Sequence, residues 1–235
     1  MAAIVPLSTR RFARWLSGEL GSPPVLAVPA LRVVPTAPPP EVEAAARLGL
    51  PAVVTSPNAV DVMASILPRE LLRAALSRSI AIGPMTAEAI AEAVPGARVE
   101  VPPTHSSRSL LSVLGPGPRV LWCSEGVEGS LARAVEASGG AVVRLYRVEA
   151  DRGALGRIRS ALSDGDVVVF ASLSSVEAWG LLREGLAARP RGAAVSRRVA
   201  APLRGDPSLS SLAAFEGGDI RRFPQFLRAL AGGGA

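Results

Sequence analysis

The stretch Ala52-Val53-Val54-Thr55-Ser56-Pro57-Asn58-Ala59-Val60 lines up without gaps on Val168-Val169-Phe170-Ala171-Ser172-Leu173-Ser174-Ser175-Val176. In each copy a short apolar run reads as a buried strand, a polar turn follows, and a helix begins. Internal repetition of this kind decides architecture before any single motif does. The next strands correspond as well, since Gly83 in Ala81-Ile82-Gly83 and Ser196 in Ala194-Val195-Ser196 lie 27 and 24 residues beyond Ser56 and Ser172.

A second, fainter pair is formed by residues 3–33 and 119–148, each reading as a strand, a helix and a Gly-led strand of unusual length. The chain therefore runs unit A, unit B, unit A′, unit B′. The long strands, 25–34 and 141–149, flank the middle of the chain, and the simplest closure pairs them antiparallel. The predicted fold class is α/β: two similar parallel-sheet domains joined by a two-stranded antiparallel linker. The domains expected are a discontinuous one, 1–33 with 150–235, and a second at 36–146, with linker strands at about 28–35 and 144–150. Four sequential units in one sheet is the alternative.

Further strands are predicted at 2–7, 52–55, 79–82, 98–101, 119–123, 166–171, 193–195 and 213–215. Helices are predicted at 9–20, 41–48, 58–66, 69–77, 85–93, 106–114, 127–138, 152–163, 174–187 and 222–231. Pro35 to Pro40 reads as a stiff, extended connector.

Composition narrows the chemistry. Hydrophobic residues make up 49% of the 235 residues but aromatics only 4%, so the core is built from Ala, Val, Leu and Ile. All 26 basic residues are Arg, which excludes Schiff-base, pyridoxal and P-loop lysine chemistry. One His (His105) and one Cys (Cys123) exclude a Cys/His metal cluster, and no metal or cofactor is expected. No apolar run reaches the 18 or so residues of a membrane span. Ala2 to Leu7 precedes Arg10 and Arg11, the reverse of a secretory signal, and a lone cysteine suits a reducing compartment, so a cytoplasmic protein is expected. The net charge of +6 fits a small polyanion or nucleic acid equally.

Thr55-Ser56-Pro57-Asn58 and Ala171-Ser172-Leu173-Ser174 sit between a strand and a helix, where backbone N–H groups and the helix dipole favour an anion. Asn58 and Ser174 as plain N-caps is the alternative. Gly83-Pro84-Met85-Thr86 is a third such turn, with a hydroxyl in its first helical turn. Tyr146, the only tyrosine, lies on the presumed linker strand, where it either packs or offers a hydroxyl to a ligand. His105, Trp122 and Cys123 receive no role.

The succession of motifs resembles the uroporphyrinogen-III synthases. It comprises Val53 to Val60, Ile82-Gly83-Pro84-Met85-Thr86-Ala87, and Pro102 followed by Ser106-Ser107 to Leu110-Leu111. It continues with Arg119-Val120-Leu121, Glu125-Gly126, Gly140-Ala141-Val142-Val143 to Tyr146, and Val168 to Ser172. Two departures stand out. Arg10-Arg11 is displaced from the family's Thr-Arg-Pro turn, and Ser196-Arg197-Arg198-Val199 replaces a second Gly-Pro-x-Thr turn.

The resemblance implies two domains with a substrate cleft between them. It also implies an enzyme, a carbon-oxygen hydro-lyase, that closes hydroxymethylbilane with loss of water and inversion of the last ring. By it Tyr146 is the catalytic residue. Ser56, Pro57, Asn58, Gly83, Pro84, Met85, Thr86, Gly126, Ser172, Leu173, Ser174, Ser196 and Arg197 bind substrate. The partner is then this polycarboxylate, with no nucleic acid and no membrane, and the chain is a monomer. A non-catalytic two-lobed tetrapyrrole- or polyanion-binding protein is the alternative.

Overall fold

A computed structural model of the chain describes residues 2–104, 107–127 and 129–232, with Ser107 by its backbone alone. His105 and Ser106 lie outside the described residues. The chain divides into two compact units, Met1–Arg32 with Val148–Ala235 and Val33–Arg147.

The described elements are, in chain order, β1 (Ile4–Leu7), α1 (Arg10–Leu20), β2 (Leu31–Pro35), α2 (Pro39–Arg47), β3 (Ala52–Val54), α3 (Pro57–Ile66) and α4 (Arg69–Leu76). Then come β4 (Arg78–Ala81), α5 (Pro84–Ala93), β5 (Arg98–Glu100), α6 (Ser107–Val113), β6 (Val120–Ser124), α7 (Gly129–Ala137) and β7 (Ala141–Ala150). The chain continues with α8 (Arg152–Ala161), β8 (Val167–Phe170), α9 (Leu173–Leu182), β9 (Arg191–Ala194), α10 (Arg197–Ala200), β10 (Ser211–Ala214) and α11 (Phe223–Gly232). No helix among the described residues is long and apolar enough to cross a membrane.

In the central unit the strand order is β7-β6-β3-β4-β5, every neighbouring pair parallel. The other unit has the parallel order β1-β8-β9-β10, with an isolated parallel bridge from Ile4 to Val25 on the far side of β1. Each sheet thus joins one A-type half to one B-type half. The halves enter in opposite chain order.

Strands β2 and β7 are neighbours in one sheet. Asp151 N–H donates to Ala30 O at 2.9 Å, and Thr36 N–H donates to Leu145 O at 2.9 Å, so numbers rise on one strand as they fall on the other. The ladder is antiparallel. Residues 25–34 do not form one strand: after the bridge at Val25 the ladder begins at Leu31. Pro29 has no N–H to give to a ladder. Nor is Pro35 to Pro40 wholly a connector, because Pro39 and Pro40 open α2, where a missing N–H costs nothing. The turn of helix α10 and the 3-10 turn Ala201–Leu203 were not expected from the sequence, since four residues carry no periodicity.

Apolar side chains cover both faces of each sheet. Val5, Leu7, Val168 and Phe170 meet α8 and α9 through Leu155, Ile158, Trp179 and Leu182. Ile4, Val167 and Val169 meet Leu16, Leu20, Phe223 and Leu227 on the other side. In the central unit Leu121 and Cys123 pack on Leu131 and Val135 of α7. Burial pushes the Cys123 thiol up to about 12, so it is a packing residue rather than a nucleophile.

One buried acid anchors α9. Asp206, its side chain 4% exposed, accepts from Trp179 Nε1 at 2.9 Å and from Arg183 Nη1 at 2.7 Å. Ser208 N–H also donates to it, at 2.9 Å. Burial alone would raise its pKa, but the Ser208, Trp179 and Arg183 donors outweigh burial and hold it below the usual carboxylate range. Asp206→Ala leaves the Trp179 N–H unpaired in the core and is expected to cost about 2 kcal/mol in urea unfolding. A carboxyl depressed on folding stabilises above its unfolded pKa of about 4, and that contribution disappears as pH falls through the folded value. The variant should therefore lose less stability than the parent on acidification below about pH 4. Equal losses in the two proteins would remove Asp206 from this role.

Candidate functional site

In the central unit the chain steps from β3 to β4 to β5 in one direction and from β6 to β7 in the other. The connections diverge between β3 and β6, and ligands of open α/β sheets bind at the carboxyl ends of strands beside such a divergence. Here those ends carry Thr55-Ser56-Pro57-Asn58 after β3, Ser124-Glu125-Gly126 at and after β6, Tyr146 on β7 and Gly83-Pro84-Met85-Thr86 after β4. One edge of one sheet collects every predicted residue of this unit.

Tyr146 lies opposite Ser124 in the β6–β7 register, just past an irregularity between Cys123 and Ser124. That shift puts the phenol, whose residue is 2% exposed, among the side chains of Ser56, Asn58 and Ser124, to which it hydrogen-bonds. Burial raises the phenol's pKa, and the three hydrogen bonds offset this only in part. At neutral pH Tyr146 is therefore protonated, a fixed donor in a low-dielectric setting. Ser124 was not singled out from the sequence, although its place at a strand end before Glu125-Gly126 is the signal that would have found it.

The helix caps differ from the simple expectation. Ser56 and Ser172 are the N-caps, two residues before Asn58 and Ser174, which lie within the first turns. Ser56 Oγ accepts from Asn58 N–H at 3.1 Å, Ala59 N–H donates to Ser56 O at 3.1 Å, and Pro57 has no N–H. This turn therefore offers a ligand side chains more than backbone. At α5 no side chain caps the helix; Thr86 and Ala87 N–H both turn back to Gly83 O, leaving the Met85 N–H without a partner among the described residues. Thr86 itself is 1% exposed. Gly83 has φ −171°, extended backbone open to any residue. Gly126 is exposed in the loop after β6.

In the other unit Ser172, Leu173, Ser174, Ser196 and Arg197 occupy the carboxyl ends of β8 and β9. Ser172 and Ser175 form a capping box, with Ser172 N–H donating to Ser175 Oγ at 2.9 Å. The N–H groups of Leu173 and Ser174 remain without a partner among the described residues, at the start of a ten-residue helix. Ser174 lines a groove of about 560 Å³ with Arg32, Glu149, Asp151, Arg152 and Glu177, and Leu173 is exposed. Ser196 caps α10 through Val199 N–H at 3.3 Å. Arg197 donates through Nε and Nη2 to the two carboxylate oxygens of Glu216, each at 2.6 Å, so an incoming carboxylate would have to compete with that pair.

Residues 19–208 match the family model of uroporphyrinogen-III synthase HemD. Among solved structures the chain is similar to a mutant uroporphyrinogen III synthase from the extremely thermophilic bacterium Thermus thermophilus, at 24% identity and TM-score 0.55, with 98% and 99% of the two chains covered. It is also similar to uroporphyrinogen-III synthetase from Helicobacter pylori, at 14% identity and TM-score 0.63, with 98% and 100% covered. At such identities the structural likeness is one of fold. No curated protein matches the chain in sequence.

Proposed function

Because the chain belongs to the uroporphyrinogen-III synthase family, we propose that the hydroxyl cluster around Tyr146 serves that family's ring closure. The reaction converts linear hydroxymethylbilane to uroporphyrinogen III with loss of water and inversion of the last pyrrole ring. Breaking a carbon–oxygen bond with expulsion of water places the enzyme among the hydro-lyases. The observation that supports the assignment is the phenol of Tyr146, held by Ser56, Asn58 and Ser124 at the diverging strand ends.

A bilane of this kind closes unaided to the unflipped isomer, so the protein's main task is to hold the chain ends in a reactive geometry. Tyr146 donates to the departing hydroxide, and Ser56, Asn58 and Ser124 keep its hydroxyl aimed. Oriented N–H groups at helix starts, such as that of Met85 in the central unit, take substrate carboxylates, and those of Leu173 and Ser174 offer the same chemistry. Pro57, Pro84 and Gly83 shape those turns, and Thr86, Gly126, Ser172, Ser196 and Arg197 flank them. The protein works as a cytoplasmic monomer and takes a tetrapyrrole precursor rather than nucleic acid.

Incubation with freshly generated hydroxymethylbilane, followed by separation of the I and III isomers, tests the reading. Isomer III is expected to exceed the spontaneous isomer I. Tight binding with isomer I as the sole product would overturn it in favour of a non-catalytic tetrapyrrole-binding protein.

A further inference from the structure

The opposite edge of the central sheet carries a concentration of charge. In the parallel register Ala52 faces both Val120 and Ser79, and Arg78 faces Arg98. One residue back along the outer strands, Arg119, Pro51, Arg78 and Arg98 therefore form a single row across the amino ends of β6, β3, β4 and β5. These four residues, with Ser79, Ile80, Val99 and Glu100, line a groove of about 540 Å³.

Three features of the row call for an anion. Arg78 and Arg98 start neighbouring strands about 4.8 Å apart, and like charges set opposite each other destabilise a sheet. Arg119 Nε is buried and has no hydrogen-bond partner among the described residues. Arg78 uses one donor on Gly49 O at 3.3 Å, which leaves most of its fork open. Against the three guanidinium groups stands one carboxylate, Glu100, so the lining carries two positive charges in excess.

We propose that this groove binds a phosphate group of a small phosphorylated molecule. A phosphate monoester at neutral pH carries close to two negative charges, matching that excess, and its oxygens fit the planar forks of Arg. Ile80, Val99 and Pro51 give the organic part an apolar floor, and Ser79 and Glu100 stand beside them. The site is separate from the Tyr146 edge, because five residues of strand and turn from Arg78 to Gly83 span roughly 15 Å.

The test is calorimetric titration of the full chain with pyrophosphate, phosphoserine and citrate at matched ionic strength. Pyrophosphate and phosphoserine should bind, and citrate at least 10-fold more weakly. Arg98→Glu, at an exposed position, should weaken phosphate binding about 10-fold to 100-fold, the loss of one charge-assisted contact. Arg119→Gln should weaken it similarly, whereas Arg69→Glu on the surface of α4 and Ser56→Ala at the reaction edge should leave it unchanged. Three results would each overturn the proposal. They are no binding by the parent protein, citrate binding as tightly as pyrophosphate, and an Arg69→Glu or Ser56→Ala effect as large as that of Arg98→Glu.

Discussion

Tyr146→Phe is expected to lower production of isomer III about 10-fold to 100-fold in a protein that still folds. The ring stays in its buried place on β7, and only the oxygen shared with Ser56, Asn58 and Ser124 is removed. A phenol is a modest acid, so the loss falls at or below the usual range for acid–base groups and should appear in kcat rather than KM. Because Tyr146 is the only tyrosine, the phenolate absorbance of the whole protein reports on this one hydroxyl. Its midpoint should lie above the value of about 10 for free tyrosine, since burial raises it. The sign of the linked stability follows. A proton held more tightly in the folded state stabilises fully below about pH 10, and that contribution is lost as pH rises through the folded pKa. Full turnover by folded Tyr146→Phe would remove the hydroxyl from the mechanism, and a midpoint below about 10 would contradict its burial.

Gly140→Ala is expected to destabilise the protein by roughly 3 kcal/mol, near the upper end of overpacking costs, and to lower Tm by about 6 to 12 °C. Gly140 N–H donates to Val135 O at 3.0 Å and Ala141 N–H donates to Arg119 O at 2.9 Å, which presses this backbone against the start of β6. An added Cβ would run into Arg119 O and lie 2.9 Å from both Arg119 N and a Val135 methyl. Backbone cannot rotate away as a side-chain tip does, so β6 or β7 must move. Gly156→Ala supplies the contrast, because that glycine is exposed within α8 with nothing within 4 Å of an added Cβ. There the substitution should stabilise by about 0.5 to 1 kcal/mol through helix propensity. Thermal melting of the two variants beside the parent decides the matter. Equal melting temperatures for Gly140→Ala and the parent would show that the contact yields.

The repeated strand-turn-helix of Ala52 to Val60 and Val168 to Val176 determined by itself that the chain forms parallel α/β halves. That the long runs around 25–34 and 141–149 pair antiparallel followed from the simplest closure of that repeat, although only Leu31–Pro35 of the first run is strand in the ladder. The turns at Ser56, Gly83, Ser172 and Ser196 were legible, since a strand end followed by a helix start is written in neighbouring residues. Where the ladder begins was not legible. Val25 to Ala30 has strand-like composition, and only the partner strand decides which of its N–H groups find carbonyls. The Tyr146 cluster lay beyond sequence reading too. The Ser56–Asn58 turn, Ser124 and Tyr146 come from three separate stretches of the chain, and they meet because β3, β6 and β7 lie side by side with a shifted register after Cys123. The same cause hid the arginine row: Arg78, Arg98 and Arg119 look like scattered surface charges until the register of four strands sets their amino ends in line. Periodicity tells a residue which face of its strand it occupies, and only tertiary pairing tells it which residues of other strands stand beside it.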